Sequence, residues 1–500
     1  MGFNFRWHFA VFNQTLCRWV RYAVAVSSFI GLGACAAQAA TLCVNKNGSN
    51  GCVATIQAAI NAVSSPDTTI AVGPGTYSAT TCGGPGCSVA VISSTASNAA
   101  SLTGLTLRCN QGKLTRSVLL DATGLNHAVY VSGVAQVTIA GCVAENAMRE
   151  GILVENSDNA NVANNEVADN DQAMASKLGK GTPPCPTFLS PGTGGAIQCC
   201  PDAFATGPGN FPNDNDDCGE GIHLRAVTNS VVQGNFVHDN IGGILLTDET
   251  GANSSNLISK NTSKDNTKFG GDCGVTLASH VACTPGSTDV TGCTLAPLGS
   301  PGGVFHNVVD GNLLNHNGAS GAGMFANPGI PPGSATAAYG NQISNNTVTN
   351  NGQPGIAIHV HAANGNADNN VIVGNAVSGN GGDGEATPVA HPPGLGIEVL
   401  SNGSFGFPFD GASPIVGTMI SHNNVSKQDI DVWVGNNATD AHVTLNNLVG
   451  KGASGVTNAG SGTVTATENY WGCPKGPNSS SCTSTSGTVI SSPFASHPSP

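Results

Sequence analysis

From about residue 160 onward the chain repeats one short arrangement of apolar and polar positions, apolar-x-x-Asn-x-apolar-x-x-Asn. Copies include VANNEVADN ending at Asn170, VQGNFVHDN at Asn240, ISKNTSKDN at Asn266, VDGNLLNHN at Asn317, ISNNTVTNN at Asn351 and IVGNAVSGN at Asn380. Asn165, Asn235, Asn261, Asn312, Asn346, Asn375, Asn423, Asn446 and Asn469 stand at the centres of these and of more degenerate copies, and the closest centres are 23 to 29 residues apart. Short alternating segments at such a period predict strands stacked in a solenoid, each coil burying its apolar face against its neighbours. Coils about 4.8 Å apart would bring equivalent asparagines into a ladder, with amides bonding from coil to coil and the asparagines themselves taking left-handed corner angles.

A second periodicity gives one strand per coil with the form Gly-apolar-x-apolar-x. It runs through Gly151–Glu155, Gly221–Arg225, Gly243–Thr247, Gly274–Ala278, Gly323–Asn327, Gly355–His359 and Gly396–Leu400, with Ile430–Val434 as a variant. Near the N-terminus, Ile56, Ala59, Ile60 and Val63 share one face of a predicted helix, followed by a strand from Thr69. Such a helix would cover the open end of the solenoid, where apolar core and unpaired strand edges are otherwise exposed.

The repeat, this helix and the terminal segment Asn469-Tyr470-Trp471-Gly472 with Gly476-Pro477-Asn478 resemble the right-handed parallel β-helix family, the pectin-lyase-like fold. The resemblance implies an all-β, single-stranded right-handed parallel β-helix solenoid with an N-terminal capping helix and long loop insertions. The chain then divides into a signal peptide over 1–40, cap and first coils over 41–100, repeats over 101–472 and a C-terminal cap and tail over 473–500. Insertions fall near 171–218, 279–303, 381–395 and 402–414. The scaffold hosts lyases, epimerases, hydrolases, adhesins and accessory proteins, so it does not fix an activity. The WxDH of classical pectate lyases, the DPHD of mannuronan epimerases and the paired-Asp and GHG pattern of polygalacturonases are not found in this sequence.

Composition narrows the partners. Only 9% of the 500 residues are charged, with 17 basic against 30 acidic, which disfavours nucleic acid. Arg6, Arg18 and Arg21 precede the apolar run from Tyr22 to Ala34, the layout of an export signal. Ala37-Gln38-Ala39 fits ordinary signal cleavage, whereas Leu32-Gly33-Ala34-Cys35 resembles a bacterial lipobox that would place a lipid anchor on Cys35. Either route predicts export to the periplasm, the outer-membrane surface or the outside of a bacterium, with no transmembrane segment, and a monomer is the separate expectation. Export makes disulfides the expectation for the 15 cysteines from Cys43 to Cys482. Close spacing pairs Cys43 with Cys52, Cys82 with Cys87, Cys283 with Cys293 and Cys473 with Cys482. The odd count leaves a free thiol, for which Cys142 is the candidate.

In so neutral a chain, the ionisable residues at outward strand positions stand out. The strands would display Glu155, His223, Arg225, Thr247, Thr276, Phe325, Asn327, His359, Glu398, Asp431 and Trp433, with Asp248, Glu249, His280 and His361 just beyond. His223, Arg225, Asp248, His359, His361 and Glu398 are the candidate catalytic residues. Asp214, Asp216, Asp217 and Glu220 form a candidate Ca²⁺ site without the EF-hand pattern, the plainer alternative being a solvated acidic loop. Arg225 could clamp a carboxylate, or simply pair with Glu155 of the neighbouring coil.

The expected partner is an acidic polysaccharide. A lyase or C5-epimerase would need a cation for the uronate carboxylate and a base for its α-proton, served by Arg225 or Ca²⁺ and by His223, His359 or His361. The alternative is a non-catalytic carbohydrate-binding or adhesin-like solenoid. A hydrolase pairing Asp248 or Glu249 with Glu398 is disfavoured by the several coils between them.

Overall fold

The computed structural model describes residues 39–79, 87–170, 219–268, 271–279, 302–327, 335–383, 393–402, 411–450 and 454–499. Residues 1–38 of the expected leader, with Cys35, and Cys82, Asp214, Asp216, Asp217, His280, Cys283 and Cys293 lie outside them, and the solenoid unit begins at Ala39.

Three long parallel sheets run along the solenoid, with 14, 12 and 11 strands among the described residues. A complete coil contributes one strand to each, as Ile152–Glu155, Asn161–Ala163 and Glu166–Ala168 do in succession. Because the side-chain period along a strand is two, one set of positions meets inside the coil. Ile222, Leu224, Ile244, Leu246, Val275 and Leu277 belong to that core, as do Met324, Ile356, Ile358, Ile397 and Val399 further along. The described residues are all-β apart from one α-helix and two 3₁₀ turns, and no helix among them is long and apolar enough to cross a membrane.

Corners carry the asparagines, and there are three ladders. The expected one runs from Asn165 through Asn235, Asn261, Asn312, Asn346, Asn375, Asn423 and Asn446 to Asn469. A second joins Asn170, Asn240, Asn266, Asn317, Asn351 and Asn380. A third includes Asn256, Asn307, Asn341 and Asn370, which lie outside the nine-residue pattern and so escape it. Asn235 shows the logic of a rung. Its Oδ1 accepts from the backbone N–H and Nδ2 of Asn165 at 2.9 and 3.0 Å, while its own Nδ2 donates to Val162 O and Asn261 Oδ1, both at 2.9 Å. An amide so placed has its polar atoms engaged, which makes its burial tolerable.

The left-handed backbone expected of these asparagines belongs instead to the residue before each. Asn164, Gly234, Lys260, Gly311, Asn345, Gly374, His422, Leu445 and Glu468 have φ between 54° and 70°. The corner divides its work: one residue makes the bend and the next ties the coils together.

Helix Ile56–Asn61 lies near the N-terminal end, with Ile56, Ala59, Ile60 and Val63 buried as the periodicity predicts. Thr55 caps it by accepting from Ala58 N–H. Gln57 hydrogen-bonds both backbone groups of Val91, at 2.8 and 3.2 Å, on the Ser88–Ser93 strand that begins the 12-stranded sheet. The helix thus engages a strand edge that would otherwise be open to another chain. At the far end Trp471 is fully buried in the core cluster. Disulfides join Cys43 to Cys52 and Cys473 to Cys482, as spacing predicts. Cys142 is not the free thiol. It bonds Cys109, and Cys273 is the free, buried cysteine among the described residues.

Candidate active site

The 12-stranded sheet holds the candidate chemistry. Register stacks Tyr130, Leu153, His223, Leu245, Thr276, Gly323, Ala357, Glu398 and Trp433 in one file. Ser132, Glu155, Arg225, Thr247, Ala278, Phe325 and His359 form the next. The outward positions are less open than the sequence implies, because Glu155, His223, Arg225, Thr247, His359 and Glu398 are all buried. Phe325 and Trp433 remain half-buried. Alignment by glycines would place Gly323 level with Gly355. Instead Ala322 pairs with Ile356, so Phe325 lies beside His359 with its ring edge-on at 5.5 Å.

Two separate clusters result. In the first, Glu155 binds Arg225, whose Nε donates at 3.0 Å and whose Nη2 also contacts the same oxygen, while the Tyr130 hydroxyl donates to the other oxygen. One carboxylate thus holds groups from the coils on either side of it. Close by, Glu150 lies between two imidazoles, with His127 Nδ1 at 2.9 Å from one oxygen and His223 Nδ1 at 3.6 Å from the other. Burial pushes the Glu150 carboxyl up, but the pull of His127 and His223 overcomes it and holds the group well below its usual range. His223 Nε2 is 2.7 Å from the Thr247 hydroxyl, which donates its hydrogen to Glu249. A hydroxyl has one hydrogen to give, so Nε2 of His223 carries the proton between them. Tyr130 is half-buried and is the most exposed member of this group.

The second cluster lies four strands further along the sheet from His223, about 19 Å at the usual strand spacing. His359 Nε2 is 3.0 Å from Glu398 Oε2 and 3.7 Å from Asp383 Oδ2. Burial first, then the neighbouring Asp383 charge, pushes the Glu398 carboxyl up to about 7. His361 packs edge-on against His359 with ring centres 5.3 Å apart, and its Nδ1 lies 3.1 Å from Asn402 Oδ1. Burial and the neighbouring His359 lower the His361 imidazole to about 3.

Residues 84–296 match the family described as right handed beta helix region. Together with the three parallel sheets, that match fixes the architecture. The chain folds as a right-handed parallel β-helix. No curated protein matches it in sequence. Among solved structures, the A-module of the Azotobacter vinelandii mannuronan C-5 epimerase AlgE6 is similar at 13% identity, over 88% of this chain and 94% of that one, with a TM-score of 0.41. An alginate lyase from Paenibacillus sp. is similar at 13% identity over 87% and 95%, with a TM-score of 0.36. The pectate lyase Pel9A is similar at 12% over 92% and 80%, with a TM-score of 0.32.

Along this β-helix the six candidate catalytic residues divide. His223 and Arg225 join the first cluster, and His359, His361 and Glu398 the second. Asp248 belongs to neither: its Oδ2 accepts from the Ser279 hydroxyl at 2.8 Å and from Gly303 N–H, tying down the chain beyond its own strand. Of the candidate Ca²⁺ ligands only Glu220 falls within the described residues, where it is buried and paired in register with Gly242. Sequence reasoning missed Tyr130, His127 and Glu150 because the early coils lack the asparagine repeat. The alternation Val129-Tyr130-Val131-Ser132 was the signal that could have found Tyr130. Asp383 was missed because it sits in an insertion, where no period predicts a neighbour.

Proposed function

We propose that this β-helix acts on a uronate-containing polysaccharide by lyase or C5-epimerase chemistry, with the reaction centred on Tyr130, His223 and Arg225. The observation that carries the reading is the double engagement of Glu155. Its carboxylate holds the Tyr130 phenol on one side and the Arg225 guanidinium on the other, beside two imidazoles sharing Glu150. Both reactions begin by taking the proton α to the uronate carboxylate. Arg225 provides positive charge for the carboxylate as electron density moves onto it, and Tyr130 takes the α-proton on its phenol oxygen as it passes its own hydrogen to Glu155, with His223 beside it. Elimination then forms the C4–C5 double bond as the C4–oxygen bond breaks and the leaving oxygen takes a proton. Epimerisation instead returns a proton to the opposite face of C5. Disulfides fit an exported protein.

A second reading is favoured by one specific observation. Arg225 already has a carboxylate partner within its own fold, which reduces the positive charge left for a substrate. A non-catalytic carbohydrate-binding β-helix needs no such charge. The test is incubation of the purified protein with alginate, pectate and glycosaminoglycans. Lyase action appears as ultraviolet absorbance of the unsaturated uronate, and epimerisation as altered sugar signals by NMR. Loss of either signal in Y130F and R225K, both shown to be folded by circular dichroism, supports the assigned site. Binding without turnover in all substrates supports the second reading and removes the first.

A further inference from the structure

The second cluster has a chemistry that the polysaccharide reading does not use. His359 Nε2, Asp383 Oδ2 and Glu398 Oε2 come from the Ile356–Val360 strand, the segment after Asn380 and the Leu395–Ser401 strand. One ligand atom from each residue lies within 4.8 Å of the others, and all three residues are buried. Ligands about 2.1 Å from a common metal lie about 3.0 Å apart at a right angle and about 3.4 Å apart at a tetrahedral angle. His359 and Glu398, at 3.0 Å, are already at that spacing, and Asp383, at 3.7 Å from His359, is close to it. Glu398 supplies a second, independent observation. It is completely buried, and its Oε1 has no hydrogen-bond partner among the described residues. Leaving a carboxylate oxygen so placed is costly unless something else engages it.

We infer that His359, Asp383 and Glu398 form a binding site for one divalent transition-metal ion of the Zn²⁺ or Mn²⁺ class. One imidazole and two carboxylates match the preferences of these ions, whereas Ca²⁺ takes six to eight oxygens and Mg²⁺ favours carboxylate and water over imidazole. The strands explain the placement. His359 and Glu398 occupy adjacent coils and neighbouring files of one sheet, so backbone pairing fixes two ligands before the third arrives. The ion would join those two coils and bring Glu398 Oε1 within reach of a second metal bond. This site is distinct from the Tyr130–Arg225 cluster, about 19 Å away along the sheet. Its occupancy is therefore separable from the polysaccharide reaction.

The test uses untagged full-length protein, stripped with chelator and titrated by calorimetry with ZnCl₂, MnCl₂ and CaCl₂ in separate experiments. Co²⁺ titration followed by visible absorption reports directly on coordination by nitrogen and oxygen. One saturable Zn²⁺ or Mn²⁺ equivalent is expected, tighter than Ca²⁺ by at least about tenfold. H359A, E398Q and D383N should each weaken it by on the order of 100-fold. Circular dichroism identifies any variant that has not folded, and the remaining variants then carry the comparison. Failure of the folded wild type to bind a stoichiometric ion overturns the inference. So does binding that is equally tight in the folded variants, or a site that prefers Ca²⁺. None of these outcomes depends on whether the protein turns over a polysaccharide.

Discussion

Glu150 and Glu398 are both buried carboxyls on the same β-helix, yet their surroundings drive them in opposite directions. Glu150 has an imidazole at each oxygen and is held well below the usual range, whereas Glu398 is buried beside Asp383 and is pushed up to about 7. The difference lies in which charges the neighbouring coils contribute. Around Glu150 and Glu155 the adjacent strands bring cationic or hydrogen-donating groups, so negative charge is answered within the fold. Around Glu398 the neighbours include a second acid, and three ligand atoms converge. Stacked coils thus place chemistry by file: a residue's partners are decided by what stands at the same register one coil away.

The largest expected effect comes from breaking the answered charges. R225M leaves Glu155 buried without its guanidinium and should cost about 3 to 5 kcal/mol in urea unfolding. E398Q, measured after chelation, makes permanent the neutral form that burial favours and should cost less than about 1 kcal/mol. Equal losses in the two variants would erase the distinction between the clusters.

The ladders provide an internal control, because they pass both regions unchanged. N261A, in the coil of Thr247, and N375A, in the coil of His359, should each cost about 2 to 4 kcal/mol, since each removes the acceptor for a buried backbone N–H and a neighbouring amide. A gap of several kcal/mol between them would show that the charge clusters, and not the corners, dominate local stability.

A smaller effect separates the regions by pH. The folded Glu150 binds its proton less tightly than the unfolded chain does, so its contribution is present above about pH 4.3 and is lost as the pH falls through the lower folded value. Asp431 behaves in the opposite sense. Burial pushes its carboxyl well above the usual range against a single bond from Gly450 N–H, so its contribution is complete below about pH 3.9 and is lost as the pH rises through the folded value. Urea midpoints followed from acid to neutral pH should show E150Q weakening the acid-side dependence and D431N weakening the neutral-side fall. Smallest of all is the response of Cys273, which should react with a thiol reagent only on unfolding, because burial and the Asp272 charge raise its thiol well above the ordinary range.

Much of the scaffold was legible because repetition multiplies a weak signal. One Asn-x-apolar segment says little, but nine central asparagines specify a ladder, and four apolar residues from Ile56 to Val63 specify the helix that meets its first strands. The left-handed corner was read one residue too late because Asn is both a common bend residue and an amide donor, and only the backbone angles separate the two roles. The site was less legible. His223 and Arg225 could be placed on outward positions, but Tyr130 precedes the clear repeat and Asp383 belongs to an insertion. Neither position has a period from which register could be counted. The pairing of Cys142 with Cys109 joins residues 33 apart, beyond the short spacings that guided the other assignments.

The rungs also have a sense of direction. Asn165 Nδ2 donates to Asn235, Asn235 to Asn261, and so on to Asn469, and the second ladder runs the same way from Asn170 to Asn380. Each coil therefore offers one amide hydrogen and one backbone N–H forward, which find their acceptor only when the following coil is in place, while the other amide hydrogen reaches back to the coil before. A nascent chain emerging N-terminus first would always expose one unanswered row of donors at its growing tip, a template suited to the coil about to arrive. The amide dipoles of successive rungs therefore point the same way along the axis.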